Sequence, residues 1–272
     1  MRIVSICPSN TELVAYLGLM DQLVGVDQWS DWPEEVKELP QLGPDLSIDM
    51  DKVEELQPDL VLASLSVPGM EKNIEELNNR NLPHIILNPN SLEDIAEDLL
   101  KVGEHTGVSE HAHYVVDQFR NLIQEYKQLA ETIEEKPKVY WEWWPKPIFT
   151  PGGTNWLTEI SRLAGAENVY SHIEQASIQT KWDKVLELNP DVICMAWVGV
   201  AEKKMKPDLI KKRPGWEQMS AVQYNRIYPL EEALFCRPSP RLLFGLQKLA
   251  YLLHPNVYPK VEAEDPLQRS LE

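Results

Sequence analysis

The chain has 272 residues, 43% of them hydrophobic and 25% charged, with a formal net charge of −17. That length favours two α/β lobes of roughly 100–130 residues each over one core, and the acidity argues against nucleic acid or an anionic lipid surface as the main partner. Cys7, Cys194 and Cys236 form no CxxC pair, so neither a zinc site nor a disulfide framework is indicated, and no apolar run reaches the length of a membrane span.

Arg2–Ile6 is apolar and β-branched and predicts an opening strand. No basic, apolar and small-residue leader precedes it. This reads either as a cytoplasmic protein or as an exported one whose signal segment is not in the sequence. Thr11–Leu19 has helical spacing, with Ser9 or Asn10 placed to cap it. Leu23–Val26 predicts a strand, and Trp29–Pro33 a loop. A helix over Asp49–Leu56, stopped by Pro58, leads into the strand Leu60–Ala63. The helix Glu71–Asn79, the strand His84–Leu87 and the helix Leu92–Thr106 follow. Strands alternating with such helices predict parallel pairing through right-handed crossovers.

Ser109–Lys136 is the longest uninterrupted helical pattern, roughly 40 Å at 1.5 Å per residue. It predicts a rod joining a lobe over residues 1–107 to one over 137–272, with the helix itself in 108–136. Beyond it, Lys138–Trp144 predicts a strand, Asn155–Leu163 a helix and Ala166–Tyr170 a run into a loop. Trp182–Leu188 then reads as a helix and Val192–Trp197 as a strand. Pro207–Glu217 contains a helix, Arg226–Tyr228 is a short strand, Arg241–Leu253 is an amphipathic helix, and Lys260–Glu272 looks like a polar tail.

Asp51–Asp59 (DKVEELQPD) recurs as Asp183–Asp191 (DKVLELNPD), each copy running into an apolar strand. So wide an offset suggests two similar lobes rather than a serial repeat array. Two lobes leave a cleft, where small ligands bind.

The chemistry-bearing residues favour binding over catalysis. No GxSxG elbow, P-loop or HExxH is present. His111 and His113, two apart on a helix, do not share a face. The glycines of Pro151–Asn155 suit a helix-entry turn or, less well, an anion site. Tryptophan is abundant, nine against four phenylalanines, and gathers at strand ends: Trp29 and Trp32; Trp141, Trp143 and Trp144; Trp197. Carboxyl ends of parallel strands form ligand crevices, and indoles there give rigid apolar area. Strand alternation sends Trp141 and Trp143 to one face, so one of them is expected in the core. Asp51 and Asp183 open their repeat helices. There they either favour the dipole or form a pseudo-symmetric pair of acids for a two-fold partner carrying arginines.

Ile3–Leu13, Val24–Val26, Ser30–Pro33, Pro58–Leu62, Phe149–Gly152, Gly165–Val169 and Arg237–Arg241 resemble the cobalamin-binding proteins of ABC importers. These belong to the periplasmic-binding-protein group whose two lobes are bridged by one long helix. The resemblance implies an α/β fold of two similar parallel-sheet lobes, and capture of a corrinoid without cofactor, bound metal or enzymatic step. It also implies delivery by a monomer to a permease dimer. By position Trp29 matches an aromatic that contacts the corrin, Phe149 a second-lobe aromatic, and Ala233, Leu234, Phe235, Cys236 and Arg237 a ligand-touching loop. Asp51 and Asp183 fall where the family has glutamates that salt-bridge to permease arginines. Asp45, Ser64 and Ser177 stand where a cobalamin binder has tryptophans, and Cys236 replaces an acid. Trp32, Trp143, Trp144 and Trp197 complete the expected ligand set. The alternatives are a ferric siderophore or haem binder of the same fold, or a cytoplasmic enzyme on that plan using Cys7.

Overall fold

The computed structural model describes residues 1–271. The chain forms two compact units. The first comprises Met1–Arg120, Pro238–Pro240 and Leu271, and the second comprises Asn121–Arg237 and Arg241–Ser270.

The first unit is built from β1 (Ile3–Ser5), α1 (Pro8–Tyr16), β2 (Leu23–Val26), α2 (Met50–Glu55), β3 (Leu60–Ser64), α3 (Glu71–Asn79), β4 (His84–Leu87) and α4 (Leu92–Thr106). Its sheet is wholly parallel in the order β2-β1-β3-β4. The uninterrupted apolar run of β3 is buried throughout, as a sheet covered on both faces requires. Val4, Ile6, Val53, Val61, Ala63 and Leu77 make one core cluster. Helix α4 carries a capping box between Ser91 and Asp94 and ends at the left-handed Gly107. Helix α1 begins three residues before its expected start. Pro8, whose fixed φ suits the first turn, follows the N-cap Cys7, and no side chain caps that end. Ser9 meets the Cys7 sulfur, and Asn10 donates to the Ala63 carbonyl.

Helix α5 (Ser109–Glu131) starts in the first unit and finishes in the second. It stops five residues short of the predicted end. The Thr132 and Ile133 amides bond three residues back and tighten the last turn, and the Thr132 hydroxyl takes the Leu129 carbonyl.

The second unit contains β5 (Lys138–Glu142), β6 (Trp144–Pro145), β7 (Ile148–Pro151), α6 (Trp156–Leu163), β8 (Glu167–Asn168), β9 (Ser177–Thr180), α7 (Trp182–Leu188), β10 (Val192–Met195), α8 (Pro207–Lys211), α9 (Ser220–Gln223), β11 (Ile227–Pro229), α10 (Glu232–Phe235), α11 (Leu242–Leu253) and α12 (Pro266–Leu271). Its main sheet is parallel, in the order β11-β10-β5-β8. With β5 in the place of β1 and β10 in that of β3, this is the strand order of the first unit. A small antiparallel sheet, β6-β7-β9, is added.

The sequence repeat has a structural counterpart at each residue that ends it. In both copies the helix leads to a left-handed residue, Gln57 (φ 47°) or Asn189 (φ 44°), then proline, then aspartate. Asp59 accepts from the Arg2 amide at 2.7 Å and returns its own N–H to the Arg2 carbonyl at 2.8 Å. Asp191 does the same with Lys138, at 2.9 and 2.8 Å. Each aspartate thus closes the ladder where two central strands begin.

The C-terminal segment, expected as a polar tail, instead forms α12. Asp265 accepts from the amides of Leu267 and Gln268, and Leu267 is fully buried.

Candidate functional site

Two groups of aromatic residues follow strand ends. In the first unit, β2 runs into Asp27, which is fully buried. Its carboxylate accepts from the Trp29 amide (2.7 Å), the Ser30 amide (3.1 Å) and the Ser30 hydroxyl (2.5 Å). The Ser30 hydroxyl also meets Thr11 Oγ1 at 2.7 Å, and Thr11 donates to Ser5 Oγ at 2.8 Å. The result is a buried polar chain beneath an exposed ring. Trp29 is 54% exposed, whereas Trp32 packs on Tyr16 with centroids 5.3 Å apart. Sequence reasoning missed Asp27 and Ser30. The spacing of an aspartate two and three residues before Trp29 and Ser30 is the signal of an Asx turn.

In the second unit, Trp141 is core, its indole N–H on Ser161. Trp143 is half-buried against Trp156, and its amide donates to the Phe149 carbonyl. Trp144 is 41% exposed, its indole N–H held by the Lys146 carbonyl. Phe149, opposite Trp144 in the β6–β7 register, is half-buried. The hairpin thus presents Trp144 and part of Phe149.

Three residues of the expected ligand set are buried in the core. Trp197 belongs to the core cluster, and its indole N–H donates to Glu142 at 3.1 Å. Glu142 is fully buried and also accepts from Tyr140 and, in two bonds of 2.5 and 2.8 Å, from the Arg213 guanidinium. Arg213 is in turn sandwiched over the rings of Trp182 and Trp216. Desolvating a lone carboxylate is costly, and this one is matched by four donors, so Trp197 is fixed by the fold. Phe235 is fully buried against Trp141, and Leu234 is buried with it. Amphipathic α10 turns both inward and leaves Ala233, Cys236 and Arg237 half-buried.

Arg237 is engaged by Glu232 through Nε at 3.3 Å and Nη2 at 3.2 Å. The Cys236 thiol donates to the Ala196 carbonyl, and burial pushes its pKa well up. Cys7 is likewise buried, and desolvation raises its thiol to about 11, so it is not a ready nucleophile. Gly152 and Gly153 are explained by close packing. A Cβ on either would fall within 2.5 Å of the carbonyl of Gln175 or Ser171, and the Gly153 amide already donates to Ile173. The turn therefore has a structural cause, and that amide is not free for an anion. Among the described residues, no three His, Cys, Asp or Glu side chains converge as a metal site.

Asp51 and Asp183 both lie exposed in the first turns of α2 and α7. Their surroundings differ. Asp51 is paired with Arg80 at 2.6 Å, a cation shared with Glu54 and Glu76. Asp183 has no ion-pair partner among the described residues.

Residues 3–234 match the periplasmic binding protein family, to which the chain belongs. An uncharacterized ABC transporter substrate-binding lipoprotein of Bacillus subtilis, YvrC, is 31% identical over 267 residues, covering 94% of this chain and 81% of that one. The chain is thus of the ABC transporter substrate-binding class. A vitamin B12-binding protein of Vibrio parahaemolyticus is 27% identical over 89% of this chain and 85% of its own length. Among solved structures, a periplasmic heme binding protein from Pseudomonas aeruginosa superposes with a TM-score of 0.82 at 23% identity, over 98% of this chain and 96% of that one. The periplasmic vitamin B12 binding protein BtuF of Vibrio cholerae gives 0.76 at 24%, over 93% and 96%. Both likenesses establish the fold.

Proposed function

We propose that this chain is the substrate-binding component of an ABC importer for a corrinoid, which it binds reversibly and passes to a permease dimer. Vitamin B12-binding relatives that align over about nine-tenths of the chain support this reading. The single observation that carries it is the exposed indole of Trp29, on a loop whose amide is held by the buried Asp27, at the position where the sequence resembles a corrin contact. Trp144 and Phe149 supply aromatic area in the second unit, with Trp32, Trp143, Ala233, Cys236 and Arg237 as further contacts. Large apolar rings and a few polar groups suit a bulky macrocycle held without a covalent bond. Asp51 and Asp183 are the permease-docking acids.

The test is titration with cyanocobalamin and with haemin while tryptophan fluorescence is followed. Saturable quenching at one equivalent is expected with cyanocobalamin alone. Trp29→Ala is expected to weaken it about tenfold, as loss of one stacked aromatic would, while Cys7→Ser leaves it unchanged. Saturation by haemin alone replaces the corrinoid with haem. Silence toward both removes these two ligands.

A further inference from the structure

The two units build the same local device at the end of corresponding edge strands, β2 and β8. In the first unit the buried side chain of Asp27 accepts the Trp29 amide at 2.7 Å. In the second, the buried side chain of Asn168 accepts the Tyr170 amide at 3.1 Å. In each case an Asx turn sets the direction of an aromatic residue two positions on. The outcomes are opposite. Tyr170 turns inward, 5% exposed, and its hydroxyl meets Thr180, whereas Trp29 turns to water at 54%. An Asx turn therefore does not by itself put a ring outside.

Both turns are anchored from beneath, Asn168 donating through Nδ2 to the Pro151 carbonyl and to Thr158 Oγ1; what sets the first apart is that its anchored loop leaves the ring in water. The Asp27 carboxylate also takes the Ser30 amide and hydroxyl, and Ser30 is tied on through Thr11 to Ser5. The backbone is pinned on both sides, the Asp27 amide to the Ser5 carbonyl and the Gln28 amide to the Gly43 carbonyl. Trp32, at the far end, is packed on Tyr16. Every neighbour of Trp29 is anchored while the most apolar side chain of the loop is left in water, which folding alone does not favour. A ring held still before binding avoids the ordering cost that a mobile one incurs on association.

We propose that Asp27 and Ser30 are positioning residues for ligand capture, holding the Trp29 indole preformed as an aromatic contact. This inference rests on the ligand reading above. Neither residue touches the ligand; both act through the loop.

The experiment is a double-mutant cycle on the cyanocobalamin dissociation constant, combined with 19F NMR of the intact protein labelled with 5-fluorotryptophan. Ser30→Ala is expected to weaken binding about three- to tenfold, the range for losing a buried hydrogen bond. It is expected to add nothing in a Trp29→Ala background, and Ser30→Thr, which keeps the hydroxyl, should retain affinity. Equal weakening in both backgrounds, or none in either, overturns the proposal. Should Ser30→Ala fail to fold, Asp27→Asn runs the same cycle. If Trp29→Ala leaves binding unchanged, or cyanocobalamin does not bind, the ligand reading fails instead. The Trp29 resonance then judges the mounting alone: a change in its shift or linewidth between parent and variant upholds it, and no change between them overturns it.

Discussion

Asp98 shows how far a single side chain can depart from what its sequence neighbourhood suggests. It sits on α4 among Asp94, Glu97 and Lys101, a run that reads as a solvated face, yet it is buried and its Oδ2 has no hydrogen-bond partner. Burial raises its pKa to about 7, helped by the charges of Asp94 and Glu97 and opposed by Lys101. The unfolded chain gives up this proton near pH 4. The folded state therefore holds it more tightly, and the stability so gained is complete below about pH 4 and lost as pH rises through 7. Asp98→Asn is expected to match the parent near pH 4 and to exceed it by about 1–3 kcal/mol at pH 8. Urea unfolding at the two pH values checks this, and a variant less stable at pH 8 refutes it. The tryptophans carry the same lesson. Their clustering at strand ends was legible, but which rings face water was not. Trp197 and Trp144 differ because one indole N–H finds a buried carboxylate and the other a turn carbonyl, partners far apart in sequence or set by a hairpin.

At the scale of elements, hydrophobic period and turn residues were enough for β2, α3, β4, α4 and α7, whose observed limits are those expected. The antiparallel sheet β6-β7-β9 escaped notice because its strands are two to four residues long and broken by Pro145, Pro147 and Pro151. Proline is tolerated on an edge strand such as β6 and at the end of a strand such as β7, so it reads as a turn. Helix α12 escaped because a single buried leucine in a polar stretch sets no period. The repeat was legible as a pattern but not as a function, since only the fold shows that its last aspartate bridges to the first strand of its own unit. Asp59→Ala and Asp191→Ala are each expected to lower stability by about 1–2 kcal/mol, through loss of an acceptor for a strand-end amide. Urea midpoints for the pair decide the matter. A large effect in one and none in the other would mean the bridges are not equivalent.

At the scale of the whole molecule, the two proposed docking acids are alike in sequence and unlike in setting. Arg80 holds Asp51, and Asp183 is unpaired among the described residues. A permease arginine meeting Asp51 must displace a cation already present, although an exposed pair resists only weakly. Binding of the protein to its reconstituted permease is therefore expected to fall more for Asp183→Ala than for Asp51→Ala, with the cyanocobalamin affinity unmoved by either. Equal losses, or a greater loss for Asp51→Ala, speak against this account of docking.

The short return of Pro238–Pro240 into the first unit bears on how independent the two halves are. Ser239, from late in the chain, donates its hydroxyl to Glu12, which is buried in α1. The first unit thus closes over a group that a ribosome delivers only after most of the second has been made. The halves that carry the two DKV…PD copies are in this way one folding problem: cutting the chain after α5 would yield a fragment with an internal carboxylate bereft of its serine, not an autonomous half.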